Sequence, residues 1–136
     1  MANSLDVRVV EDGRRNAVVR LIGVVDTIDM VVTPAISLSS FTNNDIGVTF
    51  NGLRLVEADF AVTNMFSVLL DWAGNTTQPM AALADSGNFN ARRHGGYGPD
   101  RSASGYNGNI NLRTRGYVGG NAYVFTILLR MTKMYS

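Results

Sequence analysis

The stretch from Tyr123 to Thr132 repeats with a period of two, and that period fixes the class of fold open to this chain. Tyr123, Phe125, Ile127, Leu129 and Met131 share one parity, and Val124, Thr126, Leu128, Arg130 and Thr132 share the other. Successive side chains of an extended chain point to opposite faces, so this stretch is a strand with one strongly apolar face. The start of the sequence alternates in the same way, with Leu5, Val7 and Val9 set against Asp6, Arg8 and Val10. Asp12-Gly13 then signals a turn, completed by the polar Arg14, Arg15 and Asn16. From Ala17 to Val25 only Arg20 breaks an apolar run, which predicts a strand covered on both faces.

Further strands are expected along the chain. Val31 to Leu38 contains Pro34, which cannot donate a ladder hydrogen bond, so that segment belongs at a sheet edge or a bulge. Ser39 to Asp45 reads as a polar loop. Ile46–Phe50 and Leu53–Val62 flank Asn51-Gly52, a two-residue hairpin signal, and predict two strands. Phe66 to Trp72 is another strand, followed by a turn at Ala73 to Thr77. Pro79 to Ala84 is read as a short strand, and Ile110 and Leu112 mark one more. Ser86 to Gly108 holds six glycines among Asn, Arg, Ser and Tyr, and predicts one long loop. Eight or nine strands with closely spaced turns in 136 residues predict a single all-β domain. An eight-stranded jelly roll is the architecture favoured, with another Greek-key sandwich as the alternative.

Composition narrows the function. The net charge is +1, whereas a dedicated nucleic-acid binder needs many cationic contacts to phosphates. Only 17% of residues are charged, and a thinly charged surface suits a protein partly covered by partners. Lys133 is the single lysine among the basic residues; the arginine excess suits interfaces but also follows from base composition, and no role is attached to it. Without cysteine, disulfides and thiolate metal sites are excluded. The opening residues lack the pattern of a secretory signal, and no apolar run approaches bilayer length, so synthesis in the cytoplasm is expected, with no membrane partner.

Few residues offer chemistry. His94 is the only histidine, and it lies in a polar, glycine-rich setting between Arg93 and Gly95. It reads as a neutral, solvent-exposed loop histidine, because neighbouring arginines disfavour its charged form. Glu57 and Asp59 share a face of one strand and read as a solvated pair; Asp26 and Asp29 lack a calcium-loop continuation. Gly95-Gly96-Tyr97-Gly98 lacks the ending of a phosphate loop, and no serine stands in a nucleophile-elbow context. No catalytic residue, metal site or cofactor is therefore expected. Arg92, Arg93, His94, Tyr97, Arg101 and Tyr106 instead form an arginine and aromatic set on a glycine-rich backbone. Stacking on nucleic-acid bases is one use of such a set, and protein contact, favoured by the near-neutral charge, is the other.

Several short motifs carry a resemblance. Val9-Val10-Glu11-Asp12-Gly13-Arg14-Arg15-Asn16-Ala17-Val18-Val19, then Gly23-Val24-Val25-Asp26-Thr27, resemble small virion structural proteins of tailed bacteriophages. The likeness continues in Val68-Leu69-Leu70-Asp71-Trp72 and in Gly108-Asn109-Ile110-Asn111-Leu112-Arg113-Thr114-Arg115-Gly116-Tyr117, and covers about half the chain. Residues 86–108 depart from that pattern in being longer and richer in glycine. The resemblance implies a decoration or cement protein on the outer capsid surface, homo-oligomeric and expected to be a trimer, that clamps subunits of the major capsid protein. Its contact elements are expected to be the arginine and aromatic set together with the N-terminal residues Ala2, Asn3, Ser4 and Leu5. A neck, tail or baseplate component is the alternative within that class; a receptor- or carbohydrate-binding module and, last, a cell-wall hydrolase lie outside it.

Overall fold

Asp12 and Gly13 reverse the chain as their residue types require: the Gly13 amide donates to the Asn16 carbonyl at 2.8 Å and closes the first hairpin. The computed structural model describes residues 3–136, and among these it contains nine strands and two single 3₁₀ turns. The strands are β1 (Ser4–Asp12), β2 (Asn16–Val25), β3 (Thr33–Ile36), β4 (Phe50–Val62), β5 (Ser67–Trp72), β6 (Gln78–Ala84), β7 (Ser86–Asn90), β8 (Ile110–Arg115) and β9 (Tyr123–Tyr135). One sheet runs β1-β2-β9-β4-β7 and the other β3-β8-β5-β6.

That order has a simple origin. β2 pairs with β9, β3 with β8, β4 with β7 and β5 with β6, all antiparallel, as in one long hairpin folded back from the β5–β6 turn. Rolling this hairpin across itself brings β4 against β9 and β5 against β8. The result is the eight-stranded jelly roll expected from the sequence, with β1 added as an outer strand beside β2.

The inward parity of β9 meets that of β2, β4, β5 and β8 in one apolar core that includes Leu21, Leu55, Leu70, Leu112, Phe125 and Ile127. Trp72 is buried there, and its indole N–H donates to the Leu53 carbonyl at 3.1 Å, so its one polar atom is satisfied. Gly23 is required by this packing. A Cβ there would lie 2.2 Å from the Phe125 ring, which fills the space the missing side chain leaves.

The edge position read from Pro34 holds: β3 ends its sheet, with an irregularity between Pro34 and Ile36. Three expectations change. β2 is covered on one face only, with Ala17, Val19, Leu21 and Val25 buried and Ile22 exposed, because the second sheet packs on one side. Asn51-Gly52 is no hairpin. It lies inside the single strand β4 at a bulge against β9, and residues 46–49 are not strand. A Cβ on Gly52 would meet the Tyr106 hydroxyl oxygen at 2.3 Å, so this glycine provides close approach and not a turn. Lastly, residues 86–108 are not one loop, since the first five pair with β4 as β7.

Candidate contact surfaces

The segment after β7 continues along the edge of β4. Residues Arg92–His94 form a 3₁₀ turn that ends at Gly95, whose backbone is left-handed. Gly96 follows with φ +95°, and a Cβ there would lie 2.7 Å from the Arg54 side chain. This close approach lets Tyr97 exchange two backbone hydrogen bonds with Leu55, at 2.7 and 2.8 Å. Tyr97 leaves about half its surface in solvent, its ring centre 5.7 Å from that of buried Trp72. Arg93 is exposed. His94 ends the turn, and its side chain lies outside the described residues.

Arg92 is engaged within the chain. Its Nε donates to Glu57 at 3.1 Å, beside an Asn88 amide that donates to Glu57 at 2.8 Å and to Asp59 at 2.6 Å. Arg130 completes the group through Asp59 at 2.5 Å. Asn88, and then Arg92, hold Glu57 below the usual carboxylate range, and Asn88 with Arg130 does the same for Asp59. The acid pair read as merely solvated therefore ties β7 and the following turn to the sheet.

Arg101 and Tyr106 lie elsewhere, over the end of the sandwich where β4 begins. Arg101 donates to the Asn51 side chain at 2.9 Å, and the Tyr106 hydroxyl donates to the Asn51 carbonyl at 2.9 Å. Burial raises the Tyr106 pKa, with Arg101 opposing. The structure thus splits the arginine and aromatic set between a sheet edge, which carries Arg92 and Tyr97, and an end cap.

The N-terminal residues are at the opposite end of β4 and β9. Ala2 lies outside the described residues. The Asn3 side chain donates to the Ile28 carbonyl at 2.6 Å and accepts from the Asp26 and Thr27 amides, bracing the β2–β3 loop. Leu5 packs partly against the core, and Ser4 is exposed.

That end also gathers apolar residues that sequence reasoning missed. Ile28, Val31 and Val32 in the β2–β3 loop, Met65 in the β4–β5 loop, Val118 in the β8–β9 loop and Val124 are all more than half exposed, Met65 to 84%. The loops are held together. The Tyr117 hydroxyl donates to the Asp26 carbonyl at 2.8 Å, and the Tyr117 amide donates to the Asp29 side chain at 3.1 Å. Gly116 abuts Met65, where an added Cβ would meet the Met65 carbonyl oxygen at 2.8 Å. Met65 and Asp85, the two non-glycine residues with left-handed backbones among the described residues, both sit here. Such strain on exposed residues clusters at functional surfaces. Sequence reading placed Val31 and Val32 in an edge strand and Val124 on the outer face of the last strand, so these residues were not seen as one group.

Among the described residues no group of three or more His, Asp or Glu side chains converges as a metal site requires. No protein-family model matches the chain, and no curated protein matches it. A solved structure described as "CBM4 structure and function" is similar over 89% of this chain and 82% of its own, at 8% identity and a TM-score of 0.26. The fold stands on the strand order and register.

Proposed function

We propose that this chain is a virion structural protein of the decoration or cement type, which binds the major capsid protein lattice from the outer surface and stabilises the shell. The observation that supports a binding role most is the apolar loop end formed by Ile28, Val31, Val32, Met65, Val118 and Val124. Large apolar side chains collected on tied loops lose water only when a partner covers them. The place in the particle rests on the sequence resemblance. Arg93 and Tyr97 add exposed contacts on the β4 edge, while Arg92 is engaged by Glu57. Many modest contacts, repeated over a symmetric lattice, give firm attachment through effective concentration.

Co-sedimentation of purified protein with undecorated shells tests the reading. Val31→Asp combined with Val118→Asp should weaken attachment by about tenfold or more, since it places charge at a desolvated contact. An Arg93→Ala, Tyr97→Ala variant should weaken it less. Undiminished occupancy in the aspartate variant removes the loop end from the interface, and no binding by the wild-type protein removes the capsid assignment.

A further inference from the structure

β1 forms one border of the five-stranded sheet, and among the described residues no strand pairs with its outer edge. Its inward residues Leu5, Val7 and Val9 face the apolar side, yet the four-stranded sheet covers them incompletely, and Val7 remains 37% exposed. On the outward side Arg8 stands directly opposite Arg20 of β2. Like charges placed so are unfavourable. Asp6 lies 3.9 Å from Arg20, and Arg8 has no ion pair among the described residues.

We propose that β1 pairs antiparallel with β1 of a second copy, about a two-fold axis through Val7, to join two sheets into one of ten strands. In this register Leu5 faces Val9, Val7 faces Val7, and each Asp6 faces the Arg8 of the other copy. Each Arg8 thereby gains the carboxylate it lacks. The apolar residues meet on the inward side, where a continued sheet keeps its faces in phase. Alternative registers are worse. Centring on Asp6 or on Arg8 sets identical charges face to face, and a one-residue slip puts charges against the apolar side. The regular stretch suited to pairing ends at the bulge between Val9 and Glu11, so Leu5 to Val9, symmetric about Val7, is the length the contact uses. Edge pairing of this kind supplies affinity through main-chain hydrogen bonds and specificity through facing side chains. An isologous contact closes at two copies, not the three that the resemblance implies.

The inference goes beyond the proposed function, and its test uses the isolated chain, so it fails or stands apart from capsid binding. Sedimentation equilibrium should give wild-type protein at twice the chain mass of 14.7 kDa. Asp6→Arg should weaken association about tenfold or more, because two facing pairs become repulsive. The double variant Asp6→Arg, Arg8→Asp restores opposite charges and should recover the dimer, with circular dichroism confirming that each variant folds. In the wild-type dimer, alternate β1 amides should exchange more slowly with deuterium as concentration rises. A wild-type chain that stays monomeric at high concentration, or association unmoved by Asp6→Arg, overturns the proposal.

Discussion

Lys133 sits on the inward parity of β9, at the end of the core, with a fully buried side chain. Its ammonium donates to the Asp12 carboxylate, to the Asn43 carbonyl at 2.8 Å and to the Asn44 side chain at 3.0 Å, and lies 5.3 Å from the centres of the Phe41 and Phe50 rings. It therefore pins the β3–β4 connection to the first hairpin. Removing one partner of a buried pair is costly, and Lys133→Met should lower stability to urea unfolding by about 3 kcal/mol. Burial works to raise the Asp12 pKa, but Lys133 and the Thr42 and Asn43 amides outweigh it and leave the pKa lowered from 3.8. A depressed carboxylate stabilises the fold fully above its unfolded value and less as pH falls through the folded one. Wild-type protein should thus lose stability below about pH 4, and Lys133→Met should lose less over the same window. Nothing in the sequence marked this lysine, because its partners lie some 90 and 120 residues away. Met65 allows a cleaner separation of fold from contact. Glycine accepts its φ of +66°, so Met65→Gly should leave unfolding free energy within about 1 kcal/mol while capsid attachment falls.

Strands whose inward residues alternate were legible. β9, the β1–β2 hairpin and the β3 edge followed from parity, a turn dipeptide and a proline, each a local cause. β7 was not legible, because Ser86 to Asn90 is exposed throughout and offers no apolar parity. It is held by its ladder to β4 and by Asn88 reaching Glu57 and Asp59. Asn88→Ala should therefore let the Glu57 and Asp59 pKa values rise toward the ordinary carboxylate range, as read by NMR titration of the side-chain carboxyls. Asn51-Gly52 misled for a related reason. The same residue type serves a tight turn or a close backbone approach, and only the position of Tyr106, far along the chain, selects the second.

In the whole molecule, the folding of one long hairpin places the β2–β3, β4–β5 and β8–β9 loops together at one end and the glycine-rich cap at the other. The low charge of the sequence led to the expectation of a covered surface, with the arginine and aromatic set of the glycine-rich segment and the N-terminal residues Ala2 to Leu5 as its contact elements. Much of that segment is occupied by its own hydrogen bonds to β4, Asn51 and Gln78. The apolar loop end became visible only when three separate loops were brought together in space. The proposed account has this end facing the shell, with repeated weak contacts summed over the lattice. Copy number and position in the intact particle, by quantitative protein analysis and symmetric cryo-EM reconstruction, test that claim most directly. The account predicts density at repeated lattice positions on the outer capsid surface, in copy numbers that scale with the capsid lattice, with the β2–β3, β4–β5 and β8–β9 loops against the capsid subunits. A few copies confined to the vertex or tail, or absence from the particle, would contradict it.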